Sequence, residues 1–259
     1  MLKKELLIDS MRRLKECYGV THIKAEFEAE GSRKDELIML REFIDVVGLG
    51  FIIKIGGCEA IHDLDQCKLL QATGVMAPMI ETAFAMTKFR NAYEKVFGGD
   101  DVVERIINAE TITCVKNYDD ILKIGQGFLT GVTVGRSDLS ASMGIEKKDI
   151  ECEEVFQVTR QIVDKSRNAG LVTNFGGGIG IESIPFIKAM IPYIDRYETR
   201  KVVIAPSDDT RHLKEEIREA LHFELMYLEF KSEYYDGMAK EDGARMKRLS
   251  KQIEVIDDV

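Results

Sequence analysis

Short apolar runs alternate with amphipathic stretches along most of this chain, and glycines punctuate the joins. Residues 3 to 17 alternate apolar and charged positions at helical spacing until Gly19. Val20 to Ala25 reads as a strand, and Asp35 to Val47 as an amphipathic helix closed by Gly48 and Gly50. Phe51 to Ile55 is a buried-type strand before Gly56-Gly57, and Glu59 to Gln71 is helical. The pattern then predicts a strand at Gly74 to Met79 and a helix from Thr82 to Val96. It continues with a strand ending on Glu110, a helix from Asn117 to Ile124 and a strand ending at Gly135. A helix from Glu153 to Ala169, a strand Leu171 to Phe175 and a helix Glu182 to Met190 follow.

Strand and helix repeat every 25 to 35 residues or so, roughly the rhythm of parallel βα units. With this length, the expected fold is α/β, a modified (β/α)8 TIM barrel spanning about residues 20–206 in one domain over residues 1–259. A doubly wound sheet competes, but no GxGxxG follows a first strand. The end of the barrel is ambiguous. Strands ending at Thr199 and covering Val202 to Ile204 are too close together to hold a helix between them.

Residues 209 to about 251 form a nearly continuous helical pattern. Leu213, Ile217, Leu221, Leu225 and Leu228 make a stripe, and Phe223, Met226, Tyr227 and Phe230 widen it beyond the needs of one core. This predicts either a helix covering its own barrel or one that packs on a neighbouring subunit, with homo-oligomerisation favoured. Residues 252–259 are expected to fray.

Composition narrows the function. The chain has 259 residues, 45% hydrophobic, with a formal net charge of -9. That suits a sizeable core and argues against nucleic-acid binding, which needs clustered Lys and Arg. The five cysteines are scattered without a CxxC, as expected of reduced thiols in a cytoplasmic protein. The start, Met1 to Glu5, does not read as a signal peptide, and no apolar run suits a membrane span.

Chemistry concentrates at strand ends. Ile106-Ile107-Asn108-Ala109-Glu110 ends on a carboxylate, and the β-branched run before Gly135 delivers Asp138 into a polar turn. Two acids at the ends of consecutive barrel strands are the minimum protein contribution to a Mg²⁺ or Mn²⁺ site that leaves room for substrate. The plainer alternatives are a helix-capping Asp138 and a solvated Glu110. Lys54, Pro78 and Gly176 also follow strands, so all five would converge on one face of a barrel.

Three segments carry a resemblance: Ala77-Pro78-Met79-Ile80-Glu81-Thr82, Ile107-Asn108-Ala109-Glu110-Thr111, and Gly135-Arg136-Ser137-Asp138-Leu139-Ser140-Ala141-Ser142-Met143-Gly144. Together they resemble the HpcH/HpaI aldolase and citrate lyase β-subunit family, over roughly residues 20–200. The resemblance implies a barrel of the phosphoenolpyruvate/pyruvate superfamily whose last helix is exchanged between subunits, in a trimer or hexamer. It also implies cleavage or formation of a carbon–carbon bond next to a 2-oxo acid or acyl-CoA carbonyl. Glu110 and Asp138 then match the two metal carboxylates, for Mg²⁺ or Mn²⁺. Two positions depart from the family pattern. Lys54 stands where an Arg is usual, and Ala29 stands at the position of the aldolase His base.

The expected function is a metal-dependent carbon–carbon lyase or aldolase acting on a small 2-oxo acid such as pyruvate or oxaloacetate. Lys54 would place positive charge beside the enolate, or alternatively form a Schiff base. Glu26 is the preferred proton carrier. It and Glu28 lie on alternate faces of one strand end, so at most one should face the lumen. Arg136, Ser137, Pro78, Gly176, Gly177 and Arg200 are the expected substrate contacts, Arg200 alternatively making a structural ion pair. His22, His62, His212 and His222 have no assigned role. An acyl-CoA lyase, a phosphoenolpyruvate-using enzyme and a non-catalytic barrel subunit are the alternatives.

Overall fold

The computed structural model describes residues 3–98 and 103–257; residues 1–2 and 258–259, on which part of the terminal expectations fell, lie outside them. Eight strands close a barrel in sequence order: β1 (Val20–Glu26), β2 (Gly50–Lys54), β3 (Gly74–Ala77), β4 (Glu104–Ala109), β5 (Gly131–Gly135), β6 (Val172–Gly176), β7 (Arg196–Glu198) and β8 (Val202–Ile204). The helices around it are α1 (Lys3–Tyr18), α2 (Lys34–Val47), α3 (Ile61–Leu69), α4 (Ala83–Phe97), α5 (Ile112–Lys116), α6 (Tyr118–Gly125), α7 (Arg136–Ser142), α8 (Glu153–Asn168), α9 (Ile184–Met190) and α10 (Leu213–Asp257). Among the described residues, no helix is long and apolar enough to cross a membrane.

The ambiguous end of the barrel has a definite answer. β1 to β7 pair in parallel, but β8 runs antiparallel to both β7 and β1. A three-residue turn, Thr199 to Lys201, joins β7 to β8, so no helix is needed between them. The turn is tied by the Thr199 N–H donating to Val202 O at 3.0 Å. Arg200 is thereby held at the same rim as the βα loops.

Local signals explain the boundaries. Thr82 caps α4 by accepting the Ala85 N–H at 3.1 Å, and α2 ends on Gly48 in the left-handed region (φ 70°). The strands alternate as the pleat requires. Phe51 and Ile53 face the helices in the main core, while Ile52 joins Met76, Ile106 and Val203 in a small apolar cluster inside the barrel. Below that cluster an ionic plug closes the barrel: Arg196 holds the Glu104 carboxylate at 2.7 and 2.9 Å, with His22 Nε2 at 3.4 Å. Above it the interior turns polar, which leaves room for a site.

The long terminal helix differs from its expected pattern. Leu213, Ile217, Ala220, Phe223 and Tyr227 are buried against this chain's own barrel, and α10 packs on α1. Leu221, Leu225 and Leu228, expected on the same stripe, face outward. The two sets lie on different sides of one helix, because 3.6-residue spacing separates 217/220/223/227 from 221/225/228. The helix also runs through Asp257, past the expected fraying point.

Candidate active site

The C-terminal ends of the strands enclose a cavity of about 150 Å³. Lys24, Glu26, Lys54, Asn108, Glu110, Thr133, Ser137, Asp138, Glu198, Thr199 and Arg200 line it, with Gly135 and Gly176 to Gly178. None of these side chains is apolar. This is the end where barrel enzymes assemble their chemistry, because every βα loop opens there.

Glu110 follows β4 and is 1% exposed, so it is not a solvated strand end. Its Oε1 accepts the Met79 N–H at 2.8 Å and its Oε2 accepts the Asn108 Nδ2 at 2.8 Å. Met79 supplies that donor from a left-handed conformation (φ 52°) that non-glycine residues seldom adopt, a local strain placed against a site carboxylate. Gly135 leaves space for the carboxylate: a Cβ there would lie 2.9 Å from Glu110 Oε2. Asp138 sits in the first turn of α7, whose N-cap is Gly135, so it does not cap the helix. It is exposed and faces the cavity.

Lys54, at the end of β2, is buried. Its Nζ lies 2.6 Å from Glu28 and 3.5 Å from Glu110 Oε2. Burial alone would lower the lysine's pKa, but Glu110 and Glu28 outweigh it and the net shift is upward, so Lys54 remains an ammonium. Of the two acids at the first strand end, Glu26 is in the cavity lining and Glu28 is not. Glu26 lines the cavity from β1, whereas Glu28 lies beyond the strand, where alternation no longer applies, and bends back to Lys54. The Glu26 pKa is raised by burial and by neighbouring Glu30. Arg200 Nη1 lies 3.7 Å from it, on a side chain that is 58% exposed.

Two expected contacts fall elsewhere. The Arg136 side chain is fully buried and does not line the cavity. Its guanidinium donates to Gly176 O, Gly177 O and Glu151, and lies 4.3 Å from the Phe186 ring centroid. It braces the glycine turn from behind rather than reading a substrate group. Pro78 is also absent from the lining; its neighbour Met79 bears on the site through its N–H, which donates to Glu110. Ser137, Gly176 and Gly177 do line the cavity, and Gly177 (φ 89°) passes so close to α7 that a Cβ would lie 2.6 Å from the Ser137 nitrogen.

Five lining side chains lie outside the expected set: Lys24, Asn108, Thr133, Glu198 and Thr199. Lys24 is ion-paired to Glu198, which also accepts Asn174 Nδ2 at 2.6 Å. Asn174 also donates to Thr133 at 3.0 Å, and Asn108 anchors Glu110. A sequence signal existed. Lys24, Asn108 and Thr133 each lie two residues before Glu26, Glu110 and Gly135, and a strand's period of two puts such pairs on one face.

The residues present fit a hard divalent cation. Glu110 and Asp138 offer carboxylate oxygens, and the first is oriented by two N–H donors as metal-binding carboxylates commonly are. Three lining cations face four lining carboxylates, and Glu28 adds a fifth at Lys54. Asn108 Oδ1 is buried beside Glu110 with no donor. Among the described residues no cluster of three or more His, Cys, Asp or Glu forms a ligand set, so water or substrate would have to complete the shell.

The model of the HpcH/HpaI aldolase/citrate lyase family matches residues 57–175, which include all three segments of the resemblance. Among solved structures, the chain is similar to an HpcH/HpaI aldolase from Desulfitobacterium hafniense DCB-2, at 15% identity and TM-score 0.61, covering 74% of this chain and 82% of that one. It is also similar to an HpcH/HpaI aldolase/citrate lyase family protein from Burkholderia cenocepacia J2315, at 15% identity and TM-score 0.57, covering 82% and 98%. Citrate synthase SbnG aligns at 16% identity and TM-score 0.59, covering 90% and 91%. At such identities these structures show a shared fold. No protein of curated function matches the chain in sequence.

Proposed function

Starting from a barrel that carries the HpcH/HpaI aldolase/citrate lyase match, we propose that this chain is a divalent-metal-dependent carbon–carbon lyase or aldolase acting on a small 2-oxo acid. One observation carries the reading: Glu110 and Asp138, from the ends of consecutive strands, line one polar cavity with the charged Lys54. Glu110 and Asp138 would hold Mg²⁺ or Mn²⁺, which when bound supplies a Lewis acid for the substrate's carboxylate and keto oxygens.

The chain's own groups do the rest. Lys54 stays positive because two carboxylates flank it, and it offsets charge developing on the enolate oxygen. Its protonated state also makes it a poor nucleophile, which disfavours the Schiff-base route. Glu26 moves the proton: burial, and then Glu30, raise its pKa above the ordinary carboxylate value, the direction that suits a proton carrier. Ser137 and Arg200 bind the substrate carboxylate at the rim. Gly176 and Gly177, braced by Arg136, form a wall that a ligand approaches closely. The outward leucines 221, 225 and 228 of α10 are where we place homo-oligomer contact, testable by light scattering of a Leu225→Glu variant.

The test has two readouts. Mn²⁺ binding is titrated by electron paramagnetic resonance, and exchange of the pyruvate methyl protons is followed by NMR in D2O. Saturable Mn²⁺ binding, metal-dependent exchange and loss of both in Asp138→Ala are expected. Binding or exchange indifferent to that substitution would refute the site.

A further inference from the structure

The turn that reverses the chain between β7 and β8 sits at the rim of the site and, apart from Arg200, has no part in the reaction above. Resting on the lyase reading, we propose that this turn positions the proton carrier. Lys201 is a positioning residue that, through Glu30, holds the segment after β1 so that Glu26 and Glu28 keep their places beside the cations of the site.

The segment needs such a hold. Residues 27–33 belong to no helix or strand, so no ladder of backbone bonds fixes them. The Phe27 N–H donates to Lys54 O at 2.9 Å and the Ser32 N–H to Glu26 O at 3.3 Å. Between those two ties the conformation falls to side chains. Yet this stretch carries Glu28, which lies 2.6 Å from Lys54 Nζ. It also carries Glu30, whose charge is the largest influence after burial in raising the Glu26 pKa.

The turn is built to supply the hold. Because β8 runs antiparallel, Thr199 to Lys201 suffice where a parallel crossover would insert about a dozen residues or more. The Lys24 N–H donates to Lys201 O at 2.7 Å, which docks the turn on β1 itself. Its last two side chains part. Arg200 Nη1 lies 3.7 Å from Glu26 at the cavity rim, while Lys201, 2% exposed, is ion-paired to Glu30. Consecutive residues of one short turn thus hold two acids of the neighbouring chain and fix their spacing. A buried lysine that loses its carboxylate is left as an uncompensated charge, so Glu30 is not free to leave.

The long helix α10 backs this arrangement. Lys201 Nζ lies 5.2 Å from the Tyr227 ring centroid, and the half-buried Glu224 faces Lys201, Arg200, Glu30 and Lys24. Further along, Lys231 Nζ lies 2.7 Å from Glu36, the Tyr235 hydroxyl donates to Glu36, and the Arg33 guanidinium lies 4.6 Å from the Tyr235 ring centroid. Those contacts grip the far end of the segment, where α2 begins. Both ends are anchored, and Lys201 holds the middle.

The charged groups that face Glu26 are Glu30 from its own segment, Lys24 on β1, Lys54 on β2 and Arg200 in the turn. The three cations favour its ionised form, and Glu30 opposes them. The acid that Lys201 holds is therefore the one that keeps a proton within reach of Glu26. Removing the Glu30 charge moves the Glu26 titration to lower pH, and loosening the segment misplaces Glu26 and Glu28 together.

The experiment uses the full chain with saturating Mg²⁺, which does not broaden NMR lines. Pyruvate methyl exchange is followed against pH, and the Glu26 carboxyl is titrated by carbon NMR, assigned with Glu26→Gln. The variants are Glu30→Gln, Lys201→Met, Lys201→Arg and the double variant Glu30→Gln/Lys201→Met, which leaves no buried charge alone should Lys201→Met fail to fold. Glu104→Gln, at the opposite end of the barrel, is the control for a loss of stability alone. Expected in Glu30→Gln and in the double variant is a shift to lower pH of both the Glu26 titration and the acid limb of the exchange profile. The plateau rate should fall roughly 10- to 100-fold in Lys201→Met and in the double variant, as for a small misplacement of a reacting group, and recover in Lys201→Arg. The control should keep the wild-type profile. Wild-type pH dependence in both variants that lack the Glu30 charge, or a wild-type plateau rate without the Lys201 charge, would overturn this inference and leave the lyase reading standing. Absence of metal-dependent exchange in the wild type would overturn both.

Discussion

Gly135→Ala tests the site at its tightest point. The backbone there (φ -85°, ψ 86°) accepts any L-residue, so the cost of the substitution is steric rather than conformational. The new Cβ would lie 2.9 Å from both Cβ and Oε2 of Glu110, about half an ångström inside ordinary contact. Glu110 has little freedom to yield, being 1% exposed and held by Met79 N–H and Asn108 Nδ2, both at 2.8 Å. A shift of about half an ångström would stretch one of those bonds to the edge of the useful range. Overpacking of this kind costs about 1–3 kcal/mol, or a fall in Tm of roughly 2–10 °C for a chain of this size. The larger consequence is on the metal, because displacing a carboxylate from its supports weakens binding about 10- to 100-fold. The assays are thermal denaturation and Mn²⁺ titration. Gly131→Ala, lower on the same strand, is the control: its Cβ would meet Val172 O at 3.1 Å and no part of Glu110. It should lose stability and keep Mn²⁺ affinity. Gly135→Ala with Mn²⁺ affinity no lower than the control's would refute Glu110 as a ligand held by this packing.

Other expectations follow from the charges. Lys54→Met leaves the buried Glu110 and its partner Glu28 without their cation and should cost about 3–5 kcal/mol in urea denaturation, with less than 1 kcal/mol counting against the buried pair. Glu104 is half-buried, which would raise its pKa, but His22 and Arg196 hold it down at about 2. A depressed carboxylate stabilises the fold above its unfolded value near 4.3 and stops doing so as pH falls through the folded one. The Tm should therefore drop between about pH 5 and 2, and Glu104→Gln should flatten that part of the curve. Glu216 behaves oppositely, since burial raises its pKa to about 7 against the opposing hydrogen bond from Tyr197. Its ionisation costs stability as pH rises from about 4.3 to 7, so Glu216→Gln should gain on wild type at pH 8 relative to pH 4, and an equal difference at both would refute the assignment.

The order of strands and helices was legible because burial of one face leaves a periodic trace in the chain. So were the strand-end positions of Glu110 and Asp138, because a barrel brings all its βα loops to one rim. Lys24, Asn108 and Thr133 carry a weaker signal: the period of two puts each on the lumen face, but a polar residue inside a strand is not marked as a strand end is by the glycine or turn that follows it.

The rest depended on tertiary contacts. The direction of β8 is set by hydrogen bonds to β1 and β7, and a three-residue strand of Val and Ile looks the same in either direction. Arg136 reads like a substrate-binding residue in sequence. Its fate was decided by Glu151 and by Phe175 and Phe186, distant in sequence, which form a pocket for the guanidinium behind the glycine turn. Glu28 lies two residues past the end of β1, so its pairing with Lys54 is set by the bend of the chain there and not by strand alternation. The leucines of α10 show the same limit: a helix records which of its faces are apolar, but which one meets the barrel depends on the surface it packs against. Sequence by itself determined the repeating barrel and the two acids at its rim, since both follow from local periodicity. Tertiary structure alone decided which charges pair, which side chains reach the cavity and how the barrel closes, since those depend on contacts between residues far apart in the chain.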